Sequence, residues 1–112
     1  MKTFIYAVES DITAGTDITL PKTVNIGALS SVVRLKNVDI SHAACGATGA
    51  AYSSATTLGT SHSPESLEIV NSTPSAGQIQ LVNSNTIVCG DNLSAGEVLI
   101  IHYIESGEIP GF

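Results

Sequence analysis

Apolar and polar residues alternate along most of this chain in short runs, separated by clusters of Gly, Pro, Asn, Asp and Ser. That is the period-two signature of β-strands, and helical 3.6-residue periodicity is nearly absent. TFIYAVE (Thr3 to Glu9) predicts a first strand, DITAGTD a turn, and Asp17 to Pro21 a short strand that Pro21 ends or places at an edge. Ser30 to Ser41 predicts the longest early strand. Its apolar phase runs through Val33 and Leu35 and then switches to Val38 and Ile40, which predicts a β-bulge near Lys36 and Asn37.

Ser41 to Pro64 breaks the alternation with a run of Ala, Ser, Thr and Gly, and predicts a long surface loop anchored only by Tyr52 and Leu58. Four strands are expected after it. They are Ser66 to Asn71, QIQLV entered by a Pro74–Gly77 turn, TIVC entered by the NSN turn, and EVLIIHYIE entered by GDNLSAG, together an antiparallel meander. The last carries apolar residues on both faces, Val98, Ile100, His102 and Ile104 against Leu99, Ile101 and Tyr103, so it belongs in mid-sandwich or under a cover. SAGQIQLV and SAGEVLII repeat each other and read as a duplicated turn, with Gly77 and Gly96 relieving backbone strain before each strand.

The expected fold is therefore all-β: one antiparallel β-sandwich or small barrel, residues 1–112. Residues 1–10 form an arm or first strand, 41–64 a long Ala/Ser/Gly-rich loop and 106–112 an irregular tail.

Composition supports a folded chain, at 43% hydrophobic and 12% charged. The net charge of −6 rests on ten acidic residues against Lys2, Lys22, Arg34 and Lys36, so no basic face is expected for direct nucleic-acid binding. Glu9 and Asp11 interrupt the first apolar run before a secretory segment is complete, and no run approaches the ~20 apolar residues of a membrane span. A soluble protein made in the cytoplasm is expected. Cys45 and Cys89 stand 44 positions apart, with free thiols the preferred reading and a disulfide between them the alternative.

Candidate chemistry is sparse. His42, Cys45, His62, Cys89 and His102 are the soft metal ligands, but only His42 and Cys45 are closely spaced, so no metal or cofactor is expected; His102 is read as core-adjacent with a backbone partner. No serine sits in a nucleophile elbow, and Glu65 with Glu68 and Glu105 with Glu108 read as solvated carboxylates at strand ends. The expectation is a protein without enzymatic activity. Glycan binding would have only Tyr6, Tyr52 and Tyr103 as platforms, with no Trp.

The run from Ser72 to Gly107 carries Pro74 and Gly77, Ile79 and Leu81, Ile87, Leu93 and Gly96, then Val98 to Tyr103. In this order of turns and alternating strands it resembles the carboxyl-terminal hairpin of small structural proteins of tailed bacteriophages, the capsid decoration (cement) and tail-tube-like subunits. The resemblance covers about a third of the chain. It implies a virion structural protein on the capsid surface, made in the host cytoplasm, that binds the major capsid protein and copies of itself, as a homotrimer. Phe4, Tyr6, Tyr52, Leu58, Ile109 and Phe112 are the candidate interface residues. A carbohydrate-binding or adhesin-type module, a tail-tube-like subunit and a cupin-type enzyme are the rival readings.

Overall fold

A computed structural model describes residues 1–39 and 60–107. Among them all regular structure is β: β1 (Lys2–Ala7), β2 (Asp17–Thr19), β3 (Ile26–Asp39), β4 (Thr60–Val70), β5 (Gln78–Asn83), β6 (Thr86–Cys89) and β7 (Val98–Glu105). They form one sheet in the order β1-β7-β3-β4-β5-β6-β2, which curls into a half-barrel. Every pairing is antiparallel except β4 with β5.

The concave face holds the core. Alternation sends Leu99, Ile101 and Tyr103 of β7, Val32 of β3, Leu67 of β4, Ile79 of β5, Ile87 and Cys89 of β6, and Ile18 of β2 into one cluster, joined by Val8, Leu20, Val24, Ile26 and Leu93. Phe4 and Tyr6 of β1 pack against it, partly buried.

β7 lies between β1 and β3, which fills both of its edges; Leu99, Ile101 and Tyr103 enter the core, while among the described residues no second sheet covers the other face, Val98, Ile100, His102 and Ile104, which stays half-buried. The expected meander is present only as the β5–β6 hairpin. Both edges of β6 are occupied, by β5 and β2, so β7 has no place beside it and crosses to the other half of the sheet. The parallel β4–β5 pair is joined by residues 71–77 alone, far fewer than a usual crossover. Gln78 pairs with Glu68, so the chain returns only about 7 Å along the strand, and a short loop spans that.

The predicted bulge is displaced. Through Lys36 and Asn37 the β3–β4 register is unbroken, and the irregularities in β3 lie between Ile26 and Ala28 and between Leu29 and Ser31. The change of apolar phase has another cause. Val32 and Arg34 face inward, so a buried arginine occupies a core position, while Val33 and Leu35 belong to the convex face. The Ser41–Pro64 loop is also shorter than expected, because Thr60 to Pro64 already pair with β3.

The repeated SAG is a repeated turn, but its strands do not share a meander. In Ser75–Gln78 and Ser94–Glu97 the fourth residue's N–H donates to the first residue's carbonyl, at 3.0 Å in both. Gly77 (φ 81°) and Gly96 (φ 93°) take the left-handed position such turns require. The side chain of the fourth residue, Gln78 or Glu97, accepts from the N–H of the first, Ser75 or Ser94. A third copy, Thr13–Thr16 with Gly15 at φ 85°, has the same backbone bond at 3.1 Å.

Candidate interaction surface

Two of these turns interlock. Ile12 and Leu93 exchange both backbone hydrogen bonds at 2.8 Å. On either side, Asp11 Oδ1 accepts from Ala95 N at 2.9 Å and Asn92 Oδ1 accepts from Ala14 N at 2.8 Å. Gly15 N donates to Cys89 O and Gly96 N to Val8 O. The correspondence is constant: residue 7 maps to 88 and 17 to 98, both 81 positions on, so the Ala7–Val98 and Asp17–Val88 pairs are equivalent. The β1-turn-β2 and β6-turn-β7 units are thus related by an approximate two-fold axis through the Ile12–Leu93 pair. A cleft of about 360 Å³ lies over this clasp, lined by Asp11, Ile12, Thr13, Asn92, Leu93 and Ser94. Asp11 Oδ1 and Asn92 Oδ1 are both engaged in the clasp, which makes it scaffold.

Beside the clasp sits Arg34, 6% exposed. Its Nε donates to Glu97 Oε1 at 3.0 Å, its Nη2 lies 2.8 Å from the same oxygen, and Nη2 also donates to Asn92 O at 3.0 Å. Glu65 Oε1 and Asp91 Oδ2 approach Nη1 at 3.5 and 3.8 Å. Burial pushes the Glu97 carboxyl up, but the N–H groups of Asn37 and Ser94 and the Arg34 guanidinium outweigh it and hold the carboxyl below its ordinary value. Glu97 thereby ties β3 to the last turn. Glu65, read from sequence as a solvated strand-end carboxylate, lies within β4, and its Oε1 is buried without a hydrogen bond. Burial raises the Cys89 thiol pKa, which keeps it protonated and poorly nucleophilic. Cys89 is a free buried thiol.

The convex face is different in kind. Register aligns Ile5, Ile100 and Val33 across β1, β7 and β3 in one row, and Ala7, Val98, Leu35 and Pro64 in the next. No charged side chain interrupts either row. Ile100, Val33, Val98 and Leu35 are half-buried, and Ile5 is 63% exposed. The third row is closed by Thr3 Oγ1 and His102 Nδ1, 2.9 Å apart, so the partner of His102 is a side chain and not the backbone expected for it.

Phe4 and Tyr6 turn toward the core, and the exposed residue between them is Ile5. Tyr52, Leu58, Ile109 and Phe112 lie outside the described residues, as do His42 and Cys45. His62 pairs with Asn37 in the β3–β4 ladder. Sequence reading missed Ile5 because alternation alone does not say which face of a doubly apolar sheet is concave. The Arg34–Glu97 pair was visible only as an inward parity position held by a charged residue.

No protein-family model, curated protein or solved structure matches this chain.

Proposed function

We propose that the protein is a non-enzymatic structural subunit of a virion, a decoration protein that binds and stabilises an assembled capsid shell. The observation that carries this reading is the uncharged aliphatic convex face on β1, β7 and β3, with Ile5 exposed beside half-buried Ile100 and Val33. A contiguous apolar patch on a small domain suits a protein partner, and contacts that are weak singly add up over a symmetric shell. The resemblance of residues 72–107 to the structural proteins of tailed bacteriophages is what supports the major capsid protein as that partner.

The test is co-expression with the major capsid protein of the same genome, followed by sedimentation of the assembled shells. The protein should travel with the shells, and Ile100→Lys together with Val33→Lys should release it. Shells that sediment bare would overturn the reading, and glycan-array binding in that case would install the carbohydrate-binding alternative.

A further inference from the structure

We infer that the open edge of β1 is a self-association site, at which a second copy of the chain adds its own β1 antiparallel about a two-fold axis. The inference rests on the edge and on the residues of β1 that line it, and stands or falls apart from the virion reading.

Among the described residues the outer edge of β1 is unpaired, and its geometry is defined. Val8 O accepts from Gly96 N, and Val8 N donates to Glu97 O, so Val8 bonds toward the β7 side. In an antiparallel ladder the alternation then gives Lys2, Phe4 and Tyr6 their bonds to β7, and turns the N–H and C=O groups of Thr3, Ile5 and Ala7 outward. Among the described strands none pairs with that side. The approximate two-fold axis through Ile12 and Leu93 shows what such an edge holds. β6 is the counterpart of β1, and its corresponding edge carries the antiparallel strand β5, through Ile79 with Cys89, Gln80 with Val88 and Leu81 with Ile87. Half of the pseudo-symmetric unit is filled by the chain itself, and the equivalent place beside β1 is left for another strand.

The β1 sequence is suited to receive itself. Its outward positions pair best with Ile5 opposite Ile5 and Thr3 opposite Ala7, giving about six backbone hydrogen bonds across the axis. Small flanking residues leave room for the two isoleucines, the most exposed side chains of the convex rows. On the concave side Phe4 meets Tyr6 of the other copy in the close, non-hydrogen-bonded pairs. Lys2 and Glu9 are the only charged residues among the first nine, and antiparallel pairing sets the Lys2 end of one strand beside the Glu9 end of the other. Parallel pairing would set like against like. An unblocked edge of this kind, without Pro or bulge, is a template for another chain. The pairing is two-fold, and so replaces the trimer that the phage resemblance implies with a dimer.

Sedimentation velocity from micromolar to about 1 mM is the first measurement, since a single strand pair buries less than a standard interface and makes a weak dimer that forms only as concentration rises. Ile5→Pro removes an outward N–H and leaves the β1–β7 ladder intact, so it should yield a monomer with wild-type circular dichroism. Independently, Ile5→Cys in a Cys45→Ser background should oxidise to a single covalent dimer, because opposed residues in a bonded pair lie about 5.5 Å apart, within disulfide reach. Phe4→Cys in the same background should not. A wild-type protein that stays monomeric to about 1 mM overturns the inference. So does a cyclic trimer, or an Ile5→Cys protein that remains uncrosslinked.

Discussion

Glu97→Ala is the sharpest test of how the fold is held, because one carboxylate accepts from four donors, three on β3 and one in the Ser94–Glu97 turn. Oε1 takes Arg34 Nε at 3.0 Å, Arg34 Nη2 at 2.8 Å and Ser94 N at 3.2 Å, while Oε2 takes Asn37 N at 3.1 Å. The side chains of Arg34 and Glu97 are 7% and 3% exposed, so removing the carboxylate leaves a buried cation with diminished compensation. Breaking a buried pair from one side costs about 3–5 kcal/mol. Glu65 and Asp91 remain near Nη1, and Asn92 O near Nη2, which places the loss at the lower end, about 3 kcal/mol. For a domain of this size that lowers Tm by about 10–20 °C. Urea unfolding followed by circular dichroism should show a lower midpoint at unchanged slope. Glu97→Gln keeps the shape and loses the charge, and should fall between the two. Because the folded Glu97 pKa lies below its ordinary 4.5, the charge contributes fully above pH 4.5 and fades as pH falls through the folded value. The gap between wild type and Glu97→Gln should therefore narrow from pH 7 to pH 3. A loss under about 1 kcal/mol on Glu97→Ala, typical of an exposed pair, or a gap that stays constant in acid, would refute the assignment of Glu97 as the tie between β3 and the last turn.

Gly90→Ala should be among the most damaging small substitutions, since a Cβ there would overlap the Ser75 carbonyl oxygen, a backbone atom that cannot step aside; a thermal melt should show a loss above about 2 kcal/mol or no folded protein. Asp11→Ala and Asn92→Ala each remove one acceptor of the clasp and should each cost about 1 kcal/mol, with similar Tm shifts because the two bonds are pseudo-equivalent. Cys89, buried and with its thiol pKa raised, should resist iodoacetamide at pH 8 in the folded protein and react on unfolding, as read by peptide mass spectrometry.

Strand identity was legible because local alternation is printed in the sequence: each of the seven strands overlaps a predicted one. Pairing was less so. The β5–β6 hairpin was readable from the NSN turn between two apolar runs, a short-range signal. The placement of β7 between β1 and β3 depends on which edges remain free after β2 has taken the side of β6, and no local pattern states that. The inverted phase in β3 was misread for a related reason. A core position held by Arg34 looks polar until its partner, Glu97, 63 positions later, is known to face it. The third turn copy, ITAGT, was in plain view, but only the Ile12–Leu93 exchange shows that it and LSAGE are two halves of one clasp.

That clasp explains why the candidate surface is formed where it is. Residues 2–19 run antiparallel to residues 86–103 with one register throughout, from Lys2 opposite Tyr103, through Ile12 opposite Leu93, to Thr19 opposite Thr86. The first and last parts of the chain are therefore fastened along their length, and β1 is held by backbone pairing, by the Lys2–Glu105 ion pair and by Phe4 and Tyr6 on the core. A first strand held only at one end would fray and lose conformational entropy on meeting a partner. Held this way, β1 presents Thr3, Ile5 and Ala7 already extended, so the ordering cost of adding a strand falls on the incoming chain. When that chain is a second copy, its β1 is ordered by the same clasp, and both sides meet preformed.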